Sequence, residues 1–330
     1  MSSLGLFEHV DAALEARVRA GLAEVEQRLT ECAQSEAPFV TEAARHLIDA
    51  GGKRFRPVLV MIGAEFGDPA ADGVVTSAVG VELTHLASLY HDDVMDEADL
   101  RRGADSANAR WDNTVAILTG DFLFAQASKV IADLGPEAVL IQAQTFARLV
   151  EGQVRETVGP QPGEQMLDHY LRVVADKTGA LISTSPRYGA LLSGADPRAV
   201  EVLTEYGERI GTAFQLSDDV IDVTSDQTGK TPGTDLREGV PTLPVIIARQ
   251  STDPADARLL DLLGDDADLS DDDRLAEALK LLRAHPAIDQ ARAVVADHAD
   301  AARSLLAELP AGPARDALAG LCDLVVHRTA

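Results

Sequence analysis

Apolar residues recur along most of this chain at i, i+3, i+4 and i+7, and this spacing constrains its fold more than any other feature. About a dozen segments follow the helical period, and none shows a convincing alternation of apolar and polar residues with period two. Hydrophobic residues make up 46% of the chain but aromatic residues only 4%, so the core must consist mainly of Ala, Leu, Val and Ile, which suit packed helices. The sequence therefore predicts an all-α protein.

The breaks between the helical segments are short and carry Gly or Pro, as at Gly51-Gly52 and Gly67-Asp68-Pro69. No Ser- or Gly-rich linker divides the chain, and its 330 residues suffice for a sizeable core. We predict a single domain over residues 1–330. The motifs described below occupy about residues 40–250 of it, and further helices follow over 251–330.

The chain carries 54 acidic and 29 basic residues, a formal net charge of −25. Such a charge argues against binding nucleic acid through a general electrostatic field, and equally against a polybasic membrane anchor. The amino-terminal residues lack the features of a signal peptide, and no apolar run approaches the roughly 18 residues that span a bilayer. Cys32 and Cys322 stand far apart and in no metal-ligand spacing, which favours a reduced, cytoplasmic setting.

The first Asp-Asp-x-x-Asp motif ends a long apolar helical segment, predicted over residues 74–97. On that helix His85, Ser88, Asp92 and Asp96 fall on one face, with Asp93 alongside. Carboxylates this close repel each other unless a cation or a proton compensates. Mg²⁺ prefers few carboxylates together with waters and phosphate oxygens, so this motif suits a metal shared with a phosphorylated ligand. Taken alone, the motif is equally compatible with a solvent-facing acidic turn.

A second copy of the motif, Asp218-Asp219-Val220-Ile221-Asp222, also ends an apolar helical segment, and Gln215 stands one turn before Asp219. Two copies in the same setting arise by chance far less easily than one. If the two helices face each other across a cavity, the carboxylates could hold several Mg²⁺ ions around one diphosphate, where the metals would assist a leaving group.

Basic residues cluster near both motifs, although the chain has few of them. They stand at Lys53, Arg54 and Arg56, at Arg101 and Arg102, and at Lys177 and Lys230. Taken singly, Arg54 and Lys177 are interpreted as ordinary surface cations, and His85 as a core histidine. Together these residues predict two anion sites, one held by metals and the other by Arg, Lys and His.

These motifs together resemble the trans-isoprenyl diphosphate synthases, the polyprenyl synthetase family. The likeness rests on 51–57 (GGKRFRP), 82–85 (ELTH), 91–96 (HDDVMD), 101–103 (RRG), 120–121 (GD), 177–178 (KT), 214–219 (FQLSDD) and 229–244, which follow each other in family order. The resemblance implies a helical bundle of the isoprenoid synthase type, with a central cavity lined by both Asp motifs, in a homodimer. It implies that isopentenyl diphosphate and an allylic diphosphate are the substrates.

The resemblance also implies roles for individual residues. About three Mg²⁺ ions would be held by six carboxylates that also serve catalysis, Asp92, Asp93, Asp96, Asp218, Asp219 and Asp222. The allylic diphosphate would be bound by Arg101, Lys177, Thr178, Gln215 and Lys230, of which Lys177 also counts as catalytic. Isopentenyl diphosphate would be bound by Lys53, Arg56, His85 and Arg102. Many members carry Lys where this chain has Val240, which leaves the allylic diphosphate with one possible cation fewer.

The predicted reaction is loss of diphosphate to give an allylic cation, attack by the isopentenyl double bond, and loss of a proton. The protein would contribute positioning, electrostatics and exclusion of water, without a side-chain nucleophile. The family's control of product length is placed at Ala87 and Ser88, where bulky aromatic residues mark short-chain enzymes. Because both residues are small, we expect a medium- or long-chain polyprenyl diphosphate, of the kind used for a quinone side chain.

Three other functions stay open: a shorter-chain synthase making farnesyl or geranylgeranyl diphosphate, a terpene cyclase, and a catalytically silent subunit that modulates a partner synthase. A cyclase needs one diphosphate site, whereas Lys53, Arg56 and Arg102 indicate a second. A silent subunit could lose its Asp motifs, and this chain keeps both.

Overall fold

The structure, a computed structural model, describes residues 11–224, 232–264 and 267–329. The first helices are α1 (Ala12–Cys32), α2 (Pro38–Asp49), α3 (Phe55–Ala64), α4 (Gly73–Met95), α5 (Ala107–Arg110) and α6 (Asn113–Ala132). Next come α7 (Pro136–Val158), α8 (Met166–Val174), α9 (Ala180–Leu192), α10 (Pro197–Thr224), α11 (Thr234–Arg237) and α12 (Leu243–Ala248). The last are α13 (Ala257–Leu262), α14 (Asp272–Ala284), α15 (Ala287–Leu305) and α16 (Pro313–His327). A π-helical turn joins α8 to α9, over Ala175–Gly179.

Strands are confined, in these described ranges, to one short antiparallel hairpin formed by β1 (Leu100–Arg101) and β2 (Ala104–Asp105). The all-α prediction is therefore confirmed. The hairpin turn is Arg102-Gly103, and both residues have positive φ, 56° and 79°, as the twist of a two-residue hairpin requires. Gly103 adopts this conformation without strain, so the glycine of the Arg-Arg-Gly motif has a structural reason.

The described chain divides into two compact units, of which unit 1 comprises Met1–Arg148, Leu181–Gly207 and Leu306–Leu318. Its central helix is α4, which packs against α6, α3 and α1 and has fully buried side chains at Leu83, Leu86 and Tyr90. Gly80 allows α4 and α6 to approach closely, since a Cβ there would lie 2.4 Å from Ile131 Cδ1. The helix carrying the first Asp motif is thus fixed by its packing.

Unit 2 comprises Leu149–Ala180, Glu208–Leu305 and Ala319–Ala330. Its core is built from apolar side chains of α10 to α15, and it includes Val223 of α10, Leu262 of α13 and Leu282 of α14. Val223 directly follows the second Asp motif, so burial of this apolar residue anchors the end of the motif-bearing helix. The single domain predicted from the sequence remains a prediction.

One helix corrects an expectation about apolar segments. Helix α6, over Asn113–Ala132, is long and apolar enough by length and composition to cross a membrane, although no run of that kind was predicted. Such a test is also passed by core helices of soluble proteins. In unit 1, α6 packs against α4 and α2, and Leu123, Ala127 and Ile131 are buried on that side. This packing buries 39% of the apolar stretch of α6.

Candidate active site

The first Asp motif lies at the end of α4, close to the predicted helix over 74–97. Asp92 is half-buried, while Asp96 is the exposed C-cap residue, whose backbone N–H donates to the Asp92 carbonyl at 2.8 Å. Asp93 is fully buried and accepts a hydrogen bond from Arg101 Nε at 2.5 Å. The three carboxylates therefore lie in three different environments, which spacing along one helix did not predict.

The Asp93 carboxylate keeps capacity for a further cation. Its Oδ2 atom is buried and has no hydrogen-bond partner within the described chain. Burial raises the pKa of Asp93, against the neighbouring Arg101 guanidinium, which lowers it. A divalent ion would satisfy this buried oxygen atom, which has no hydrogen-bond donor among the described residues.

The β1–β2 hairpin supplies both arginines of the Arg-Arg-Gly motif. Arg101 pairs with Asp93, and Arg102 donates through Nη1 to the carbonyls of Leu47, at 2.8 Å, and of Gly51. Gly52 lies against this guanidinium, because a Cβ there would stand 3.0 Å from Arg102 Cζ. Gly52 thus makes room for Arg102.

Arg54 corrects an interpretation made from the sequence. It was read as a surface cation, but it is 4% exposed and forms ion pairs with Glu26 at 2.6 Å and with Glu82 at 3.0 Å. A buried guanidinium requires such partners, because an unpaired buried charge is costly. Arg54 also has φ of 49°, at the left-handed residue from which α3 starts. Arg54 therefore fixes the start of α3, between Lys53 and Arg56.

A cluster of cations surrounds His85 in unit 1. Burial lowers the pKa of His85 well below its ordinary value, and the charges of Arg56 and Arg102 lower it further, so the imidazole is neutral at pH 7. Burial likewise lowers the pKa of Arg56 to about 10, so this guanidinium stays charged, and its Nε atom has no hydrogen-bond partner in the described part of the chain. Lys53 is exposed beside the cluster. Cations that depress one another's pKa in this way favour a bound anion.

The second Asp motif occupies the last turns of α10 in unit 2. Asp219 is 3% exposed and accepts hydrogen bonds from the Tyr170 hydroxyl, from Gln215 Nε2 at 3.1 Å and from the Leu243 backbone N–H at 3.3 Å. Burial raises the pKa of Asp219 to about 6, although these three donors lower it. Asp222 is tied to the start of α11, because its carbonyl accepts from the N–H of the N-cap residue Gly233 at 2.9 Å.

The predicted Lys-Thr pair lies in the π-helical turn after α8. Lys177 Nζ donates to Glu156, and Thr178 Oγ1 donates to Gln215 Oε1 at 3.2 Å, which links this turn to α10. A π-turn inside a helical run is rare and is frequently found at functional sites. Lys177 is half-buried and forms an ion pair with Glu156, and its role in the site remains a prediction. Lys230 lies outside the described residues.

The two length-control positions are buried on α4. Ala87 is fully buried and Ser88 is 8% exposed, with its hydroxyl donating to the His85 carbonyl at 2.9 Å. Both side chains are small, as the sequence indicates. Their effect on product length remains a prediction.

Sequence reasoning missed two polar groups that the structure brings to the second motif. Tyr170 donates to Asp219, and Arg328, just beyond α16, forms an ion pair with Asp218. Tyr170 is 49 residues from Asp219, and Arg328 is 110 residues from Asp218. Neither residue therefore belongs to a short motif with its partner. No local signal in the chain could have found them.

Among the described residues, no group of three or more His, Cys, Asp or Glu side chains converges closely enough to hold a metal ion. Mg²⁺ in general usually keeps waters and takes phosphate oxygens as further ligands instead of a complete protein cage. The aspartates of the two motifs, and the Asp93 oxygen that has no hydrogen-bond partner in the described chain, are compatible with metal ions that also bind phosphate oxygens.

Comparison with known proteins agrees with this geometry. Residues 37–282 match the polyprenyl synthetase family. Nonaprenyl diphosphate synthase of Mycobacterium tuberculosis is 50% identical over 96% of this chain and 95% of its own length. Octaprenyl diphosphate synthase of Escherichia coli is 32% identical, over 93% and 95%.

Solved structures extend the agreement to the fold. Geranylgeranyl pyrophosphate synthase of Corynebacterium glutamicum, crystallised with calcium and isoprenyl diphosphate, has a TM-score of 0.88 and 43% identity over 97% of this chain and 98% of that one. Decaprenyl diphosphate synthase of Rhodobacter capsulatus has a TM-score of 0.88 and 36% identity, over 96% and 99%. The fold is that of the isoprenyl diphosphate synthases.

The chain belongs to the polyprenyl synthetase family. The predicted family, the isoprenoid synthase fold and the enzyme class, a polyprenyl diphosphate synthase of the medium- or long-chain type, are thereby confirmed.

Proposed function

We propose that this chain condenses isopentenyl diphosphate with an allylic diphosphate, head to tail and in the trans configuration, to make a medium- or long-chain polyprenyl diphosphate. The observation that carries the proposal is the cation cluster of Arg56, Arg102 and neutral His85 in unit 1, in a chain that also carries two Asp motifs. A chain that binds one substrate through metals and condenses it with another needs a second anion site of this kind.

The proposed roles of the residues are those that the family resemblance implies, and their surroundings are compatible with them. Arg56, Arg102 and Lys53 bind the diphosphate of isopentenyl diphosphate, and neutral His85 adds a hydrogen bond without adding charge. Arg101, Lys177, Thr178 and Gln215 orient the allylic diphosphate, and Lys230 joins them by resemblance. Mg²⁺, when bound to the six motif aspartates, supplies the electrostatic assistance that lets the allylic diphosphate leave. The chain's own part is to hold both substrates in line and to keep water away from the cation.

The same residues decide between this reaction and a terpene cyclase. A cyclase ionises one diphosphate, so it has no use for a second buried cation cluster, whereas condensation requires it. Purified chain supplied with Mg²⁺, labelled isopentenyl diphosphate and a short allylic primer should give labelled polyprenyl products that separate by length. A cyclised product without incorporated label, or incorporation only after a second subunit is added, would overturn the proposal.

Product length is proposed to follow from the small side chains on α4. The 50% identical relative is a nonaprenyl diphosphate synthase, which supports a product of comparable length. Ser88→Phe should shorten the product, because a phenyl ring one turn below Asp92 would block the growing tail. Ser88→Ala serves as the matched control and should leave the length distribution unchanged. An identical set of product lengths for the wild type and Ser88→Phe would refute the role of this position.

We further propose a homodimer that works in the cytoplasm. Apolar side chains are exposed on unit 1 at Ile117 and Leu118 of α6 and at Val139 and Leu140 of α7, with exposed fractions of 43–61%. Neighbouring exposed apolar residues of this size commonly mark a protein interface. Light scattering should give the mass of a dimer, and Leu118→Glu should shift it toward a monomer. The cytoplasmic assignment rests on the free cysteines Cys32 and Cys322.

A further inference from the structure

The residue that follows α16, Arg328, reaches the second Asp motif from the far end of the sequence. Its Nη2 atom donates to Asp218 Oδ1, and its Cζ atom lies 4.6 Å from the centre of the Phe214 ring. Phe214 and Asp218 stand one turn apart on α10, so one helix face holds the guanidinium by both an ion pair and a cation–π contact.

The position of Arg328 is fixed by the residues around it. Its backbone N–H donates to the Leu324 carbonyl at 3.1 Å, and the next residue, Thr329, is 3% exposed. The Thr329 carbonyl accepts from Arg292 Nε of α15 at 2.6 Å, and its hydroxyl donates to the Val326 carbonyl at 2.8 Å. Arg328 is therefore held in place from both sides of the backbone.

The guanidinium still has hydrogen-bonding capacity that the protein does not use. The Nη1 atom of Arg328 is buried and has no hydrogen-bond partner in residues 11–224, 232–264 and 267–329. A buried donor without an acceptor is unfavourable, so a bound group that supplies one is favoured there. One nitrogen of this guanidinium donates to a carboxylate, and another has no acceptor among these residues. Such a group suits a diphosphate, whose oxygens are strong hydrogen-bond acceptors.

The other cations of unit 2 described above do not pair with the motif aspartates. Leu243 donates its N–H to Asp219, so the segment that starts at Val240 runs beside the motif, and Val240 itself is uncharged and 39% exposed. Lys177 is paired with Glu156, and Arg155 with Asp176. Arg328 instead pairs with a carboxylate of the motif itself, which places its charge beside the anion that the motif would bind.

We propose that Arg328 is a substrate-binding residue of the second Asp motif, whose guanidinium bridges Asp218 and the diphosphate of the allylic substrate. This inference rests on the proposed function, in which that motif holds the allylic diphosphate through Mg²⁺. Arg328 then supplies the cation that the chain lacks at Val240.

The test compares three variants with the wild type, Arg328→Gln, Arg328→Lys and Arg303→Gln. The last is the matched control, because Arg303 of α15 pairs with Asp323 of α16 on the surface of the same unit. Binding of inorganic diphosphate in excess Mg²⁺ is measured by calorimetry, and the KM of each substrate is measured separately.

Arg328→Gln should weaken diphosphate binding and raise the KM of the allylic substrate by about tenfold, as expected for a lost charge-assisted hydrogen bond. The KM of isopentenyl diphosphate should change by less than about twofold, and Arg303→Gln should change neither constant by more than that. Arg328→Lys should recover part of the loss, because it keeps the charge but not the two-nitrogen geometry.

Unchanged diphosphate affinity in a folded Arg328→Gln variant would overturn the inference. Tighter binding would overturn it too, since Arg328 would then compete with the metal instead of assisting the substrate. Asp219→Asn distinguishes failure of the role of Arg328 from failure of the proposed metal site. If it loses diphosphate binding while Arg328→Gln does not, only the role of Arg328 fails. If Asp219→Asn also binds diphosphate normally, the proposed metal site fails with it.

Discussion

The two Asp-Asp-x-x-Asp motifs are alike in sequence, yet their second aspartates are stabilised in different ways. Asp93 and Asp219 are both buried, at 0% and 3% exposure. Asp93 pairs with a cation, Arg101, whereas Asp219 is held by a phenol, an amide and a backbone N–H, all of them neutral. The protein therefore supplies Asp93 with one cation of its own, Arg101, but leaves the charge of Asp219 to a bound cation or a proton.

This difference predicts that the two motifs fail in different ways when they are altered. Loss of Asp219 should affect activity more than folding, because its charge is unfavourable in the folded chain by itself. Loss of the partner of Asp93 should affect folding as well. The following experiments test that contrast, beginning with the largest expected effect.

Asp219→Asn should lower kcat/KM by about 10³-fold, because the amide keeps the size of the side chain but removes the charge that attracts the metal. Its unfolding temperature at pH 8 should not fall. The Asn oxygen can still accept from Tyr170 and Leu243, which share one oxygen of Asp219, and the Gln215 amide can turn so that its oxygen accepts from the new NH2 group. Steady-state kinetics and thermal unfolding check both points. A variant that is inactive because it is unfolded would contradict the contrast.

Asp219 should also give the metal-free chain a distinct pH dependence of stability. Its pKa is raised to about 6 in the folded chain, from an ordinary value of 3.8, so the folded state binds this proton more tightly than the unfolded state. The contribution is therefore fully present below about pH 4 and is lost as the pH rises through about 6. Relative to the wild type, Asp219→Asn should become more stable by about 3 kcal/mol between pH 4 and pH 8.

Urea unfolding of both proteins in the presence of a chelator measures this difference. A constant difference across the range would show that Asp219 titrates as an ordinary exposed carboxyl group. Binding of Mg²⁺ to the wild type should weaken over the same range as the pH falls, because a protonated carboxyl group is a poor ligand.

Arg101→Met should destabilise the fold by about 2 kcal/mol at pH 8, because it leaves the buried Asp93 carboxylate without its cation. Arg101 is 29% exposed on its side chain, so some of the loss can be recovered by water. The double variant Arg101→Met with Asp93→Asn should restore part of the lost stability. A double variant no more stable than Arg101→Met would show that the pair contributes nothing.

Tyr170→Phe should have the smallest effect, about tenfold on kcat/KM, with a shift of the Mg²⁺ dependence to higher concentration. The hydroxyl does not touch substrate in this proposal; it orients Asp219, so the variant should change the Mg²⁺ requirement while the KM of isopentenyl diphosphate stays constant. An unchanged Mg²⁺ requirement would leave Tyr170 with a packing role only.

Local sequence signals predicted much of this architecture. Apolar spacing predicted the helix over 74–97, and the structure has it at Gly73–Met95; the second motif lies at the end of α10 as expected. The hairpin at Arg102-Gly103 was not predicted, because two-residue strands leave no alternating pattern. Arg54 was misread, since a Lys-Arg run gives no sign of which side chain points inward to Glu26 and Glu82.

What the sequence determined by itself is the family, the helical fold and the identity of the carboxylates and cations. These follow from residue types at short, fixed spacings, and such spacings survive in any helix. Only the tertiary structure decided how the two motifs differ. Asp93 meets Arg101 through a hairpin, while Asp219 meets Tyr170 and Asp218 meets Arg328 across 49 and 110 residues. The charge state of a carboxylate depends on burial and on partners brought together by folding, and no spacing along the chain encodes either.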